Sequence, residues 1–145
     1  MNCKKNTNRV HMEFCSASEN ERFARMAVAA FVSVLDPTLE ELADLKTAVS
    51  EAVTNAIIHG YENGEGIIYL TCMREGRKVI VEIEDKGIGM EDIEKAREPL
   101  YTTRPEWERS GMGFCFMENF MDELEVQSEP GQGTRIIMKK NLSFH

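Results

Sequence analysis

Apolar and polar positions alternate over Val10–Ser16, the pattern of a half-buried strand. Ser18 and Glu21 then stand in the Ser-x-x-Glu spacing of a capping box. This predicts a helix whose apolar stripe is Phe23, Met26, Ala27, Ala30, Phe31 and Val34, with Arg22, Arg25 and Ser33 facing elsewhere. Asp36-Pro37 ends it, because proline cannot continue a helix. Thr38 and Glu41 repeat the box, and Leu42, Leu45, Val49, Ala52, Val53 and Ala56 form the core stripe of a longer helix that runs to about His59 and stops at Gly60. Gly66–Arg74 and Lys78–Glu84 are β-rich runs joined by a hairpin turn at Glu75-Gly76-Arg77. In the second run Val79, Val81 and Ile83 point one way and Ile80, Glu82 and Glu84 the other, so Asp85 follows on the apolar side. Glu91–Arg97 has the spacing of a short helix, Glu98–Ser110 that of a long mobile loop, and Gly113–Met121 returns to helical spacing. Glu123–Ser128 and Thr134–Lys140 are predicted strands separated by Glu129-Pro-Gly-Gln-Gly133.

Size and charge narrow the classes that this pattern can serve. A chain of 145 residues fits a single domain over 1–145 that buries a full core without disulfides or a structural metal, and residues 1–9 are expected to be flexible. Its apolar fraction of 42% is ordinary, and no apolar run approaches the roughly 20 residues that span a bilayer, so a soluble protein without membrane contact is expected. The amino terminus lacks the basic and apolar segments of an export signal. Cys3, Cys15, Cys72 and Cys115 are too far apart along the chain to start a zinc or redox motif, and they fit reduced packing thiols of the cytoplasm. A net charge of −8 disfavours a nucleic-acid partner, so a small anionic ligand must be held by local cations and backbone N–H groups.

The candidate chemistry is concentrated in a few positions. Glu51 and Asn55 lie one turn apart on the second helix, opposite its core stripe and beside Ile58, which implies that this helix is covered on both sides. Three clusters of paired glycines follow, Asp85-Lys-Gly-Ile-Gly89, Gly111-Met-Gly113 and Gly131-Gln-Gly-Thr134, each able to bring bare backbone close to a phosphate or a base. Taken singly, Glu51 and Asn55 also suit an exposed face, Asp85–Gly89 a strand-ending turn, and Gly131–Thr134 a hairpin loop. An inward Asp85 costs several kcal/mol if buried without a partner, so it calls for a donor from protein or ligand. Neither a Gly-x-x-x-x-Gly-Lys-Ser/Thr loop nor a His-Arg-Asp loop is present. Together the order and spacing point to a nucleotide site.

These residues resemble the GHKL ATP-binding superfamily, with Glu51–His59 like its N box and the three glycine clusters like its glycine boxes, in family order. Within it, Ser50–Asn63 (SEAVTNAIIHGYEN), Pro99–Phe114 (PLYTTRPEWERSGMGF) and Met117–Glu123 (MENFMDE) are similar to the sporulation anti-sigma-F factors of endospore-forming bacteria, over Met12–Lys140. The resemblance implies an α+β two-layer sandwich of the Bergerat, histidine-kinase-like type, a mixed sheet with helices on one face and ATP under a lid at about 98–113. It implies that Asp85 accepts from the adenine amino group, that Asn55 holds Mg²⁺, and that Glu51 is the general base. It also implies that Gly87, Gly89, Gly111, Gly113 and Thr134 border ATP or ADP. Arg109 reaches the γ-phosphate on this reading, with Thr102, Thr103 and Arg104 as further lid contacts. The free N–H groups at the helix start beside Gly111 and Gly113 suit phosphate. Thr134 shares a strand face with Ile136 and Met138, which turns its hydroxyl toward the nucleotide. Lys86 fits a solvated lysine better than a phosphate ligand, His59 a histidine at a helix C-terminus, and Trp107 either a partner contact or packing on the lid.

The implied function is that of a homodimeric anti-sigma factor and protein-serine kinase. With ATP bound it sequesters sigma F from RNA polymerase, and it phosphorylates a small anti-anti-sigma protein that can otherwise be held in an ADP complex. Arg25 matches the family position used in partner contact. Two alternatives are a stress-response anti-sigma-B kinase and a nucleotide-controlled sigma-binding module without phosphotransfer. Glu51 speaks against the latter, because binding ATP needs no base.

Overall fold

The computed structural model describes residues 4–98 and 113–144. Strand β1 (Thr7–Cys15) is followed by helices α1 (Glu19–Ser33) and α2 (Leu39–Asn55), a π-helical turn (Ala56–Gly60), strands β2 (Ile67–Glu75) and β3 (Lys78–Asp85), helices α3 (Ile93–Ala96) and α4 (Gly113–Phe120), and strands β4 (Glu123–Ser128) and β5 (Thr134–Asn141). The strands form one sheet in the order β1-β2-β3-β5-β4. Val10, Met12 and Phe14 of β1, Ile68, Leu70 and Cys72 of β2, Val79, Val81 and Ile83 of β3, and Ile136 and Met138 of β5 turn to the core with the helices. The result is the two-layer α+β sandwich that the resemblance implied.

Every pairing among the described residues is antiparallel, where a mixed sheet was implied. The helical crossover after β3 does bring in β4 pointing the same way as β3, but β5 returns as a hairpin from β4 and takes the place beside β3. No parallel neighbours result. Strand β1 also begins at Thr7, inside the segment expected to be flexible, because Thr7, Asn8 and Arg9 pair with Glu75, Arg74 and Met73. Backbone pairing needs no apolar side chain, so alternation alone could not reveal those residues.

The two long helices differ from their readings unequally. Thr38 caps α2 as the spacing predicts: its hydroxyl accepts from the Glu41 N–H, and Glu41 Oε1 accepts from the Thr38 N–H. Ser18 at the start of α1 makes no such bond. It already has helical φ and ψ, so the turn is closed by backbone bonds from Asn20 to Ala17 and from Glu21 to Ser18. Helix α2 buries Leu45, Val49, Ala52 and Val53 of its predicted stripe, and Ala48 and Asn55 as well. It packs between α1 and α4, which explains why Ile58 opposite the stripe is also buried. Helix α1, however, buries Ala24, Val28 and Val32, leaving Phe23 58%, Met26 53% and Val34 69% exposed. The predicted stripe is largely its outward face. The helix ends where Asp36 takes a left-handed φ of 52° before Pro37.

Candidate functional site

The C-terminal end of β3 delivers Asp85 to the helix-covered side of the sheet, where it is 2% exposed and pairs across the ladder with Thr134. Its Oδ1 accepts from the Gly87 N–H at 2.9 Å. Burial pushes the Asp85 carboxyl up to about 6, the N–H groups of Gly87 and Thr134 draw it back, and Glu84 adds a smaller push upward. A carboxyl held this way has acceptor capacity beyond the one short bond to Gly87.

Opposite it stands the end of α2. The π-helical turn closes with the Tyr61 N–H on the Ala56 carbonyl and the Asn63 N–H on the Ile57 carbonyl, a widened turn of the kind often found at functional sites. It presents Gly60 flat against Asp85, since a Cβ there would come within 2.6 Å of the carboxylate. The Gly60 carbonyl accepts from Ile88, and a Cβ on Gly87 would lie 1.8 Å from that same oxygen. Helix end and glycine loop are thus joined backbone to backbone.

The first and last glycine clusters also meet. Gly131 donates to the Ile88 carbonyl at 2.7 Å, a Cβ on Gly89 would lie 2.0 Å from the Glu129 carbonyl, and one on Gly133 would lie 2.1 Å from the Asp85 carbonyl. The bare backbone at Gly87, Gly89 and Gly133 therefore has a use that the spacing did not reveal. It lets three chain segments touch around Asp85 and Thr134.

Asn55 ends α2 and is buried. Glu51, one turn earlier, is half-buried and faces the first residue of α4, because a Cβ on Gly113 would sit 3.2 Å from its Oε2. The structure thus gathers Glu51, Asn55 and Gly113 on one side of α2, with Asp85, Gly87, Gly89 and Thr134 at its C-terminal end. Thr102, Thr103, Arg104, Trp107, Arg109 and Gly111, and most of the proposed lid, lie outside the described residues. Lys86 has its ammonium 5.0 Å from the Tyr69 ring centre. His59 lies within the π turn. Arg25 lies apart from the site on α1, 3.9 Å from Glu21. Among the cysteines, Cys72 is buried and its thiol is pushed up to about 12 by burial, partly offset by Arg74, whereas Cys15 is exposed rather than packed.

Two residues that the sequence reading did not single out hold this corner. The Tyr61 hydroxyl donates to the Ile67 carbonyl at 2.5 Å and accepts from the Lys86 N–H at 2.7 Å, tying the residue after Asp85 to the start of β2. Ser128 Oγ lies 2.8 Å from the Gly133 carbonyl, 2.9 Å from Thr134 Oγ1 and 2.9 Å from the Met90 nitrogen. Its signal was available, because Leu124, Val126 and Ser128 alternate onto one face and a serine there needs polar partners. An open depression of about 540 Å³ beside it takes in Ser128 and Thr134 with Glu84, Gln127 and Arg135 but neither Asn55 nor Asp85, so it is distinct from the buried carboxylate. Among the described residues, no three His, Cys, Asp or Glu side chains come together to hold a metal ion, and no helix is long and apolar enough to cross a membrane.

Residues 14–140 match the family of histidine kinase-like ATPase domains. The chain is 63% identical to the anti-sigma F factor of Clostridium kluyveri over 92% of its length and 94% of that protein. The chain belongs to the anti-sigma F factor family of histidine kinase-like ATPase domains. A second member, the anti-sigma F factor of Clostridium acetobutylicum, is 60% identical over 94% of this chain and 96% of its own. The fold recurs in a crystal structure of RsbU and RsbW domains from Mycobacterium tuberculosis, with a TM-score of 0.65 at 18% identity. That match covers 93% of this chain and 32% of the other. Membership in an ATPase family implies nucleotide binding.

Proposed function

We propose that this chain is an ATP-dependent anti-sigma factor and protein-serine kinase that binds sigma F and phosphorylates a serine of its anti-anti-sigma protein. The observation that carries the kinase reading is Glu51, a carboxylate one turn from the buried Asn55 and aimed at the start of α4. Binding alone has no use for a base there. The Glu51 carboxylate takes the proton of the incoming serine hydroxyl while the serine oxygen bonds to the γ-phosphorus and the bond to the β-phosphate oxygen breaks, leaving ADP. Asp85 accepts from the adenine amino group. Gly87, Gly89 and Thr134 border the base, and Gly111, Gly113, Thr102, Thr103 and Arg109 attend the phosphates.

Magnesium fits one protein ligand. Since no cluster of acidic side chains surrounds Asn55 among the described residues, its carboxamide oxygen would join phosphate oxygens and water around the ion. When bound, the ion would neutralise charge developing on the transferring phosphoryl group. The homodimer is supported by the outward face of α1, where Phe23, Met26 and Val34 form an apolar strip that a monomer leaves in water. Arg25 lies on the same helix, in reach of a protein partner.

The test is a phosphotransfer assay with purified protein, Mg-ATP and the cognate anti-anti-sigma protein. Glu51→Ala should bind ATP normally and lose about 10²–10⁴-fold in transfer rate, the usual contribution of a general base. A wild-type protein that binds ATP and sigma F yet yields no phosphoserine would instead be a nucleotide-controlled sigma clamp.

A further inference from the structure

Ser128, the last residue of β4, pairs across the ladder with Thr134, the first of β5. Its hydroxyl has one proton and two lone pairs for three neighbours. The Gly133 carbonyl can only accept, so the Ser128 proton goes there at 2.8 Å. The Met90 N–H can only donate, and it occupies one lone pair at 2.9 Å. The contact with Thr134 Oγ1 at 2.9 Å is then a hydrogen bond only if Thr134 is the donor. With its proton committed to Ser128, Thr134 Oγ1 has lone pairs alone to offer any other partner. Thr134 is 4% exposed and directly opposite Asp85, whose carboxylate is likewise an acceptor when ionised.

We propose that Ser128 is a positioning residue for base selection: by taking the Thr134 proton it makes the Asp85–Thr134 corner accept-only, so the corner favours a 6-amino purine, whose amino group has two N–H bonds to donate, over a 6-oxo purine, which has the single N1–H to donate and sets its 6-oxo lone pairs against acceptors. The inference rests on the nucleotide reading above and deepens it. Asp85 alone leaves the polarity of the neighbouring hydroxyl undefined, because a threonine can rotate to donate or accept. Ser128 removes that choice. It does so through a bond network that also joins the loop after Gly89 to the loop at Gly133, so a purely structural role for Ser128 must be separated from a selective one.

The experiment compares the affinities of Mg-ATP and Mg-inosine triphosphate, which differ at the purine 6-position and the adjoining ring nitrogen. Both are measured by calorimetry on the wild type, Ser128→Ala, Ser128→Thr and Thr134→Val, with thermal unfolding as a check on folding. In Ser128→Ala the freed Thr134 hydroxyl can donate to a 6-oxo group, so the preference for ATP should fall by about fivefold or more, the scale of one hydrogen bond. Ser128→Thr, which keeps the hydroxyl, should hold the wild-type ratio. Thr134→Val should lower the ratio as well, and it serves as the decisive variant if Ser128→Ala does not fold. Equal weakening of both nucleotides in Ser128→Ala, or a ratio that does not move, would make Ser128 a structural tie only and overturn the proposal. Failure of the wild type to bind either nucleotide would overturn the nucleotide reading itself, and the proposal with it.

Discussion

Helices α1 and α2 start from similar sequence patterns and end in different surroundings. Each is preceded by a capping-box spacing and each has an apolar stripe at helical period. In α2 the box forms and the stripe enters the core. In α1 the box does not form, and Phe23, Met26 and Val34 turn outward while Ala24, Val28 and Val32 pack inward. The difference follows from what each helix must approach. Helix α2 lies between two other helices and is enclosed, so its bulkier side chains fill the interior. Helix α1 packs against α2 and turns its small side chains Ala24, Val28 and Val32 inward, leaving Phe23, Met26 and Val34 exposed on its other face.

The widest gap between the two helices should appear in core truncations. Leu45→Ala in α2 should cost about 2–5 kcal/mol in denaturant unfolding, whereas Phe23→Ala on the outward face of α1 should cost within about 0.5 kcal/mol at protein concentrations low enough to dissociate the proposed dimer. Equal losses would erase the distinction. At higher concentration, Phe23→Ser combined with Met26→Ser should convert the proposed homodimer to monomer in sedimentation. A dimer that persists would move the self-association surface away from α1.

Acid and base should then separate the two ends of the α2 segment. Asp85, beyond its C-terminal end, has a folded-state value of about 6 against 3.8. The folded protein therefore holds its proton longer than the unfolded chain, and stability falls as pH rises from about 4 to 6, by at most about 3 kcal/mol. Asp85→Asn should flatten that slope. Glu41 at the N-terminal end behaves oppositely. Burial raises its carboxyl, but bonds from Thr38 and Ser143 outweigh this and bring it down to about 2 from 4.5. Its contribution is thus complete above about 4.5 and lost as pH falls toward 2. The smallest contrast is between the caps: Thr38→Ala should cost about 1 kcal/mol and Ser18→Ala only a few tenths, read from thermal unfolding. Equal cap losses would mean that Ser18 has a role that its helical backbone does not reveal.

Much of the site was legible because it follows local rules. Alternation in β3 put Asp85 on the apolar side, and in β5 it put Thr134 beside Ile136 and Met138, as found. The one-turn spacing of Glu51 and Asn55 placed both on α2, with Asn55 buried and Glu51 turned to Gly113. Tyr61 escaped notice because its partners, Ile67 and Lys86, are brought to it by two separate strands. Ser128 was missed although its inward position could be read, since a serine at a strand end has a meaning only when its neighbours are known. The glycines were recognised as sites of close approach, but what approaches Gly87, Gly89 and Gly133 is other backbone of the same chain.

The sequence by itself determined the order of the elements, the inward direction of Asp85, the pairing of Glu51 with Asn55 and the family to which these belong, because period, caps and spacing act within a few residues of one another. Only the tertiary structure decided which face of α1 is covered, that β5 separates β3 from β4, and that Gly60, Gly87 and Gly133 close around Asp85, the first two at its carboxylate and the third at its main-chain carbonyl. Those outcomes depend on contacts between segments far apart in the chain, where packing and hydrogen-bond satisfaction choose among arrangements that the local pattern leaves equally open.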